Sequence, residues 1–190
     1  MVNYIEKILV IIAMNDPSIT ITKLLDTDLE ALRKISREIW FTHYPTIISN
    51  EQIEYMLDKM YGMGVIEDEI NNQGIFYDKV LHNSELVGYL SYGAEMMDNI
   101  SYLKLHKCYL LPSLHGFGYG QKMLFHIYQK AQEMKLKKII LNVNKRNEKG
   151  IKAYFRFGFR IIDSQVIDFG NGFVLHDYIM GYDKIGRAHV

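Results

Sequence analysis

The chain has 190 residues, 48% of them hydrophobic and 23% charged, with 22 Lys and Arg against 22 Asp and Glu. That length buries a sizeable core as one domain, and the cancelled charge leaves no global field to draw nucleic acid or an anionic membrane. A single cysteine, Cys108, excludes an internal disulfide and a cysteine-based metal cluster. No apolar run approaches the roughly 18 residues of a spanning helix, and a cytoplasmic protein is expected.

Residues 1–17 read as a leader or a start-site artefact. Their apolar run, Ile8 to Ala13, is short for a secretory core and follows Glu6 and Lys7, while Met14 is a second start candidate. One domain is expected over 18–183. The tail 185–190, Ile-Gly-Arg-Ala-His-Val, reads like the in-frame translation of a common sequencing adapter, which reading the source DNA across that junction would test.

In chain order, Ile19 to Leu25 alternates apolar and polar residues and reads as a first strand. Asp26-Thr27-Asp28 supplies N-cap candidates for a helix with Leu29, Leu32, Ile35, Ile39 and Trp40 on one face, ending before Pro45. Ser49, with Gln52 three residues on, is a capping-box pattern that opens a second helix with Ile53, Met56, Leu57 and Met60 inward. Gly62 and Gly64 break it, and a short acidic helix over Val65 to Asn71 is closed by Gly74. From Ile75 the period falls to two. Ile75 to Leu81, a turn at His82-Asn83-Ser84, and Glu85 to Glu95 predict an antiparallel hairpin, with Ser101 to Leu111 the next strand. Met123, Leu124, Ile127, Tyr128, Ala131 and Met134 mark an amphipathic helix. Lys138 to Val143 is a buried strand and Asn147 to Phe157 a short helix; Phe159 to Phe169 and a strand ending near Tyr182 flank the turn Gly170-Asn171-Gly172. This order predicts an α/β (α+β) fold, a mixed sheet with helices on both faces.

Where the strand before it hands over to the amphipathic helix, the chain reads His115-Gly116-Phe117-Gly118-Tyr119-Gly120-Gln121. Unpaired amides at a helix start, backed by the positive end of the helix dipole, favour a pyrophosphate, and glycines let it come close. A nucleotide P-loop needs Gly-Lys before Ser or Thr, but Gln121 follows Gly120; a dinucleotide fingerprint needs glycine where Gln121 stands. His115 to Gly120 does fit a third pattern: Gln or Arg, two residues, Gly, one residue, Gly or Ala. It departs only at the first position. A glycine-rich corner with no ligand is the alternative. A second stretch, Asn142 to Phe159, places Asn147 at a helix start, Tyr154 seven residues later on the same face, and Gly158-Phe159 after it.

The two stretches resemble the GNAT family of acetyl-CoA-dependent acetyltransferases, over about Ile19 to Tyr182 and with specific motifs from His106 to Phe159. The resemblance implies a mostly antiparallel sheet of about six to seven strands, acetyl-CoA as co-substrate and no metal. By it, His115, Gly116, Phe117, Gly118, Tyr119, Gly120 and Gln121 hold the coenzyme's phosphates, chiefly by backbone, since His115 replaces the usual Gln or Arg. Leu110 and Leu111 would pair with the pantetheine arm, with the Leu110 N–H as oxyanion donor, before Pro112 ends the strand. Asn147 would contact the same arm. Tyr154 would lie beside the thioester sulfur and protonate the leaving thiolate; a core aromatic is the plain alternative for it.

A primary amine, with a pKa of about 10.4, must shed a proton before it attacks. The position matching the glutamate base of many resembling enzymes is His106, whose ordinary pKa of about 6.5 suits that work; a strand histidine bonded to a neighbour is the alternative. Cys108 shares its face by parity, but nothing in the sequence pairs with it as a base, so direct attack in a ternary complex is expected. Trp40, Tyr44 and Asp177, with Tyr61 and the run Glu67-Asp68-Glu69, could frame a cationic amine; a core tryptophan and a solvated helix face are the alternative. Arg37 to Tyr61 is loosely similar to bacterial spermidine/spermine acetyltransferases, which puts a small or polyamine-like amine ahead of a peptide amine. A catalytically idle acyl-CoA-binding sensor is the competing class. Two short basic clusters, at 135–138 and 144–147, are too little for a nucleic-acid surface. A homodimer is left open.

Overall fold

The computed structural model describes residues 15–183 and 185. The leader expected over 1–17 thus falls mostly, and the tail over 185–190 almost wholly, outside the described residues. β1 (Ile19–Lys23) stops short of the expected Leu25, because Leu24 buries its side chain while its N–H still donates to the Tyr77 carbonyl at 2.9 Å. A 3-10 turn over Asp26–Asp28 leads into α1 (Leu29–His43), which buries the expected stripe of Leu29, Leu32, Ile35, Ile39 and Trp40. In front of α2 (Asn50–Tyr61) the Ser49 side chain accepts from the Gln52 N–H at 3.1 Å. The Gln52 side chain is buried with its amide 4.0 Å from the Met56 sulfur, so half of the expected capping box forms. Gly64 (φ 82) and Gly74 (φ 68) bound α3 (Val65–Asn71), both in the left-handed region that glycine enters freely.

The strands β2 (Phe76–His82), β3 (Glu85–Met97) and β4 (Ile100–Leu110) meander through two-residue turns. Asn83 and Ser84 (φ 50 and 69) make the first, and Asp98 and Asn99 (φ 51 and 61) the second. Positive φ at both centres matches the twist of paired strands. After β4 come α4 (Tyr119–Glu133), β5 (Ile139–Asn144), α5 (Glu148–Phe157), β6 (Arg160–Gly170) and β7 (Phe173–Tyr182). The strand order is β1-β2-β3-β4-β5-β7-β6. β4 and β5 run parallel, Leu103 to Leu105 beside Ile139 to Leu141, whereas β1 with β2, β2 with β3, β5 with β7 and β6 with β7 pair antiparallel. Two-residue turns admit only antiparallel neighbours, which covers β3 and β4. The seven-stranded, mostly antiparallel sheet is the architecture that the motifs imply.

The chain forms two compact units, each with its own core: 15–92 with 107–123, and 93–106 with 124–183. The first packs Leu32, Ile39 and Trp40 of α1, Ile53 of α2 and Ile66 of α3 with Tyr77, Val80, Tyr89 and Leu90 of β2 and β3. The second packs Leu124, Ile127 and Ala131 of α4 with Leu103, Leu105, Ile139, Ile140, Leu141, Phe159, Met180 and Tyr182.

β4 changes parity along its length. The Leu103 N–H donates to Lys138 on the β5 side, whereas the Leu111 N–H, an even number of residues on, donates to Val87 on the β3 side at 2.8 Å. Regular alternation would send both to the same neighbour, so one extra residue is accommodated between them, a β-bulge. Gly88 sits opposite this irregular stretch: a Cβ there would stand 2.4 Å from the Tyr109 carbonyl oxygen, an approach only glycine allows.

Candidate active site

In the first unit, Pro112–Leu114 forms a 3-10 turn, with the Leu114 N–H on the Leu111 carbonyl and the His115 N–H on Pro112. Gly116 and Gly118 then take φ of 88 and 86, and α4 begins at Tyr119. The Gly118 carbonyl accepts from the N–H groups of Gln121 and Lys122 at 2.9 and 3.2 Å. The amides from Gly116 to Gly120 donate to no acceptor among the described residues. Five N–H groups at the positive end of a helix form an anion cradle made of backbone.

The side chains of this turn are employed elsewhere. His115 turns back so that its Nε2 donates to the Leu110 carbonyl at 3.0 Å, bracing the strand end. Tyr119 is buried, its hydroxyl donating to Asp16 Oδ2 at 2.8 Å, and Gln121 is buried as well. Lys122 directs its ammonium at the carbonyls of Asp16 and Ile19, 2.7 and 2.8 Å away. Phe117 alone projects, 58% exposed, with its ring stacked on Tyr119 at 6.0 Å. Asp16 ties this corner to the start of β1. Hydrogen bonds from Ser18 first, then the Tyr119 hydroxyl, hold its carboxyl at about 2.

Of the two strand-end residues expected to meet the pantetheine arm, Leu111 needs correction. Its N–H is taken by Val87 and its carbonyl by Leu114, because the chain has already begun to turn. The Leu110 N–H, one residue earlier, is directed to the opposite side from β3.

Trp40 is 2% exposed, so it is a core residue and not an open surface for an acceptor. Tyr44 at 4.7 Å, Tyr109 at 5.9 Å and Tyr61 at 6.2 Å crowd its indole ring. Tyr44 is half-buried, its hydroxyl 3.4 Å from that of Tyr109. The acidic run is paired within the protein. Arg33 forks onto Glu67 at 2.8 and 2.9 Å, Asn72 and Gln73 donate to Asp68, and Lys107 reaches Glu69 at 2.7 Å. Lys107 also lies over the rings of Tyr61 and Tyr77, so the aromatic cage of this unit already holds a cation of its own chain. Burial pushes the Cys108 thiol up to about 12, which keeps it protonated at neutral pH and unfit as a nucleophile.

In the second unit, Asn147 caps α5 by accepting from the Gly150 N–H at 3.0 Å, so near that a Cβ on Gly150 would stand 2.9 Å from its side chain. Tyr154 follows on the same helix, half-buried, its ring edge-on to Phe159 at 5.8 Å. None of the residues of α5 is fully buried.

His106 stands on β4 with Tyr102 and Lys104 on the same face, a polar row that strand alternation makes readable. Two partners of this row were not anticipated. Glu95 of β3 accepts from the Tyr102 hydroxyl at 2.8 Å and lies 3.5 Å from His106 Nε2. Lys104 donates to Asn142 Oδ1 at 2.5 Å. Asp177, opposite Asn144 on β5 and Gln165 on β6, is 8% exposed, and its Oδ1 has no hydrogen-bond partner among the described residues. Burial pushes Asp177 up and Lys104 down, each against the attraction of the other. Glu95 escaped sequence reasoning because it lies near the far end of a hairpin strand, and only the Asp98-Asn99 turn brings it onto β4.

The mixed sheet has a central strand that opens through an amide-lined corner into a helix, an arrangement suited to a phosphate-bearing group. Comparison makes this specific: the Acetyltransferase (GNAT) family pattern matches residues 29–159, and the chain belongs to that family. It is similar to the spermidine N(1)-acetyltransferase of Thermoplasma acidophilum, 28% identical over 156 residues that span 80% of this chain and 94% of that protein. Among solved structures, PaiA N-acetyltransferase from Thermoplasma acidophilum, in complex with coenzyme A, superposes with a TM-score of 0.72 at 25% identity, covering 87% of this chain and 99% of that one. The spermidine N-acetyltransferase of Vibrio cholerae, in complex with CoA and spermine, shares the fold at a TM-score of 0.64 and 18% identity, over 90% and 98% of the two chains. Among the described residues no group of three or more His, Cys, Asp or Glu could hold a metal ion. No described helix is long and apolar enough to cross a membrane.

Proposed function

We propose that the chain transfers the acetyl group of acetyl-CoA to a primary amine by direct attack in a ternary complex, with a small or polyamine-like amine as acceptor. The observation that carries this reading is the row of undonated amides from Gly116 to Gly120 at the head of α4. They receive the coenzyme's pyrophosphate, so its binding depends on backbone and on the two left-handed glycines. The Leu110 N–H pairs with the pantetheine amides or with the oxyanion. Asn147 caps α5 and contacts the same arm.

An ammonium acceptor gives its first proton to His106. The freed amine attacks the thioester carbonyl, the oxyanion forms and collapses, and the C–S bond breaks. Tyr154 protonates the thiolate, and the second proton of the nitrogen, lost as the amide forms, restores the phenol through solvent. The buried Asp177 carboxyl attends the acceptor. An oxygen that is buried without a donor supports a site completed by an N–H-bearing ligand. The names of the Thermoplasma and Vibrio relatives support a polyamine. Free thiol release, followed with acetyl-CoA and a panel of monoamines, diamines, polyamines and a peptide, tests the reading. Turnover with diamines or polyamines is expected; turnover with the peptide alone would overturn the acceptor class, and release with no amine would leave only binding.

A further inference from the structure

We propose that Glu95 is the positioning residue of the proton-accepting step. Seated by Tyr102, it turns the Nε2 edge of the His106 imidazole toward its carboxylate, so that Nδ1 carries the lone pair that takes the acceptor's proton. The inference rests on the reading of His106 as the base.

Three side chains of β4, Tyr102, Lys104 and His106, lie on one face of the strand, and β3 supplies the single carboxylate that meets two of them. The Tyr102 hydroxyl donates to Glu95 Oε2 at 2.8 Å, while Oε1 is 3.5 Å from His106 Nε2. One oxygen is therefore used to hold Glu95 in place, and the other faces the Nε2 edge of the ring. Burial and the Glu95 carboxylate push the Tyr102 hydroxyl up to about 12, so it remains a donor throughout the neutral range. A carboxylate facing Nε2 favours the tautomer with its proton there. The neutral ring then presents Nδ1 as its basic atom, and the imidazolium formed after proton transfer is stabilised by the same carboxylate.

The charged neighbours explain why such a partner is needed. Lys104, on the same strand face, is an ammonium donating to Asn142 of β5, and it disfavours a second positive charge two residues away. Asp177 of β7 is the other carboxyl that acts on Lys104, and burial favours its neutral form. Glu95 is only half-buried, 41% exposed at the side chain, and is the carboxylate in ion-pair range of the imidazole.

Glu95→Gln retains the shape and an acceptor for Tyr102 but removes the charge. Two readouts separate the pairing from the catalytic role. First, the His106 ring is titrated by NMR in the wild type and in Glu95→Gln; its midpoint is expected to fall by about one pH unit, the lower end of the effect of a nearby opposite charge. Second, the pH profile of kcat/KM for the amine is measured. Its acid limb should move down with the NMR midpoint, with kcat at neutral pH lowered several-fold because the base is weaker, and KM for acetyl-CoA unchanged. An unmoved NMR midpoint overturns the inference. A midpoint that moves while the acid limb stays in place shows that His106 is not the base, which overturns both that reading and the role given to Glu95. Should Glu95→Gln fail to fold, Tyr102→Phe releases the carboxylate from its seat; a smaller shift of both readouts in the same direction is expected, and none overturns the proposal.

Discussion

Lys107 is 4% exposed, and its ammonium is held by Glu69 at 2.7 Å with the Tyr77 hydroxyl and the ring of Tyr61 beside it. Burial pulls its pKa down while Glu69 pulls it up, and a lone ammonium there would have no carboxylate to answer it. Glu69→Gln is therefore expected to cost about 3–5 kcal/mol, the range for breaking a buried pair, read from urea unfolding. Asp16 gives a titratable counterpart. Its carboxyl is lowered from 3.8 to about 2, so the stabilisation it brings is complete above 3.8 and is lost as pH falls toward 2. The Tm of the wild type should exceed that of Asp16→Asn at pH 6, and the gap should close between about pH 4 and 2. A constant gap would mean that the charge of Asp16 does not contribute. If Tyr154 is the proposed general acid, Tyr154→Phe is expected to lower kcat about 100-fold, the low end of general acid catalysis, and to leave KM for acetyl-CoA in place. Steady-state thiol release measures both.

At the scale of elements, the corner between β4 and α4 is proposed to bind by backbone, and the side chains nearest it are committed to the protein. Gly118→Ala places a Cβ at φ 86 and is expected to raise KM for acetyl-CoA several-fold, since strain of about 1–2 kcal/mol must distort the amide row. His115→Ala should change it less, because that ring braces Leu110 instead of facing an anion. Periodicity and turn chemistry made most elements readable: the α1 stripe, α3 between its glycines, and the Asn171-Gly172 turn all follow from local rules that tertiary packing does not override. Four features lie beyond such rules. The bulge in β4 is a matter of register with two neighbours, and no residue type marks it. The insertion of β7 between β5 and β6 is a choice of partner, made by side chains distant in sequence. The Glu95–His106 approach spans two strands, and Lys107 reads as a solvated lysine until α3 brings Glu69 to it. Asn147 was legible as the residue that opens α5; the engagement of Leu111 and the burial of Trp40 required the folded chain.

For the molecule as a whole, equal numbers of acidic and basic residues place its electrostatics in local sites, and those within each unit are mostly closed on themselves. Among the described residues the amides of the glycine turn and the Asp177 Oδ1 stand without partners, which suits an anionic coenzyme and an N–H-bearing acceptor respectively. Belonging to the GNAT family sets the chemistry as acetyl transfer; the acceptor is the part that the local charges propose. The most direct measurement is free thiol release from acetyl-CoA with spermidine, matched monoamines and a peptide amine. Faster turnover with spermidine than with a monoamine, reduced for spermidine but not for the monoamine by Asp177→Asn, is the predicted result. Equal rates for all acceptors, or a peptide acetylated while spermidine is not, would contradict it.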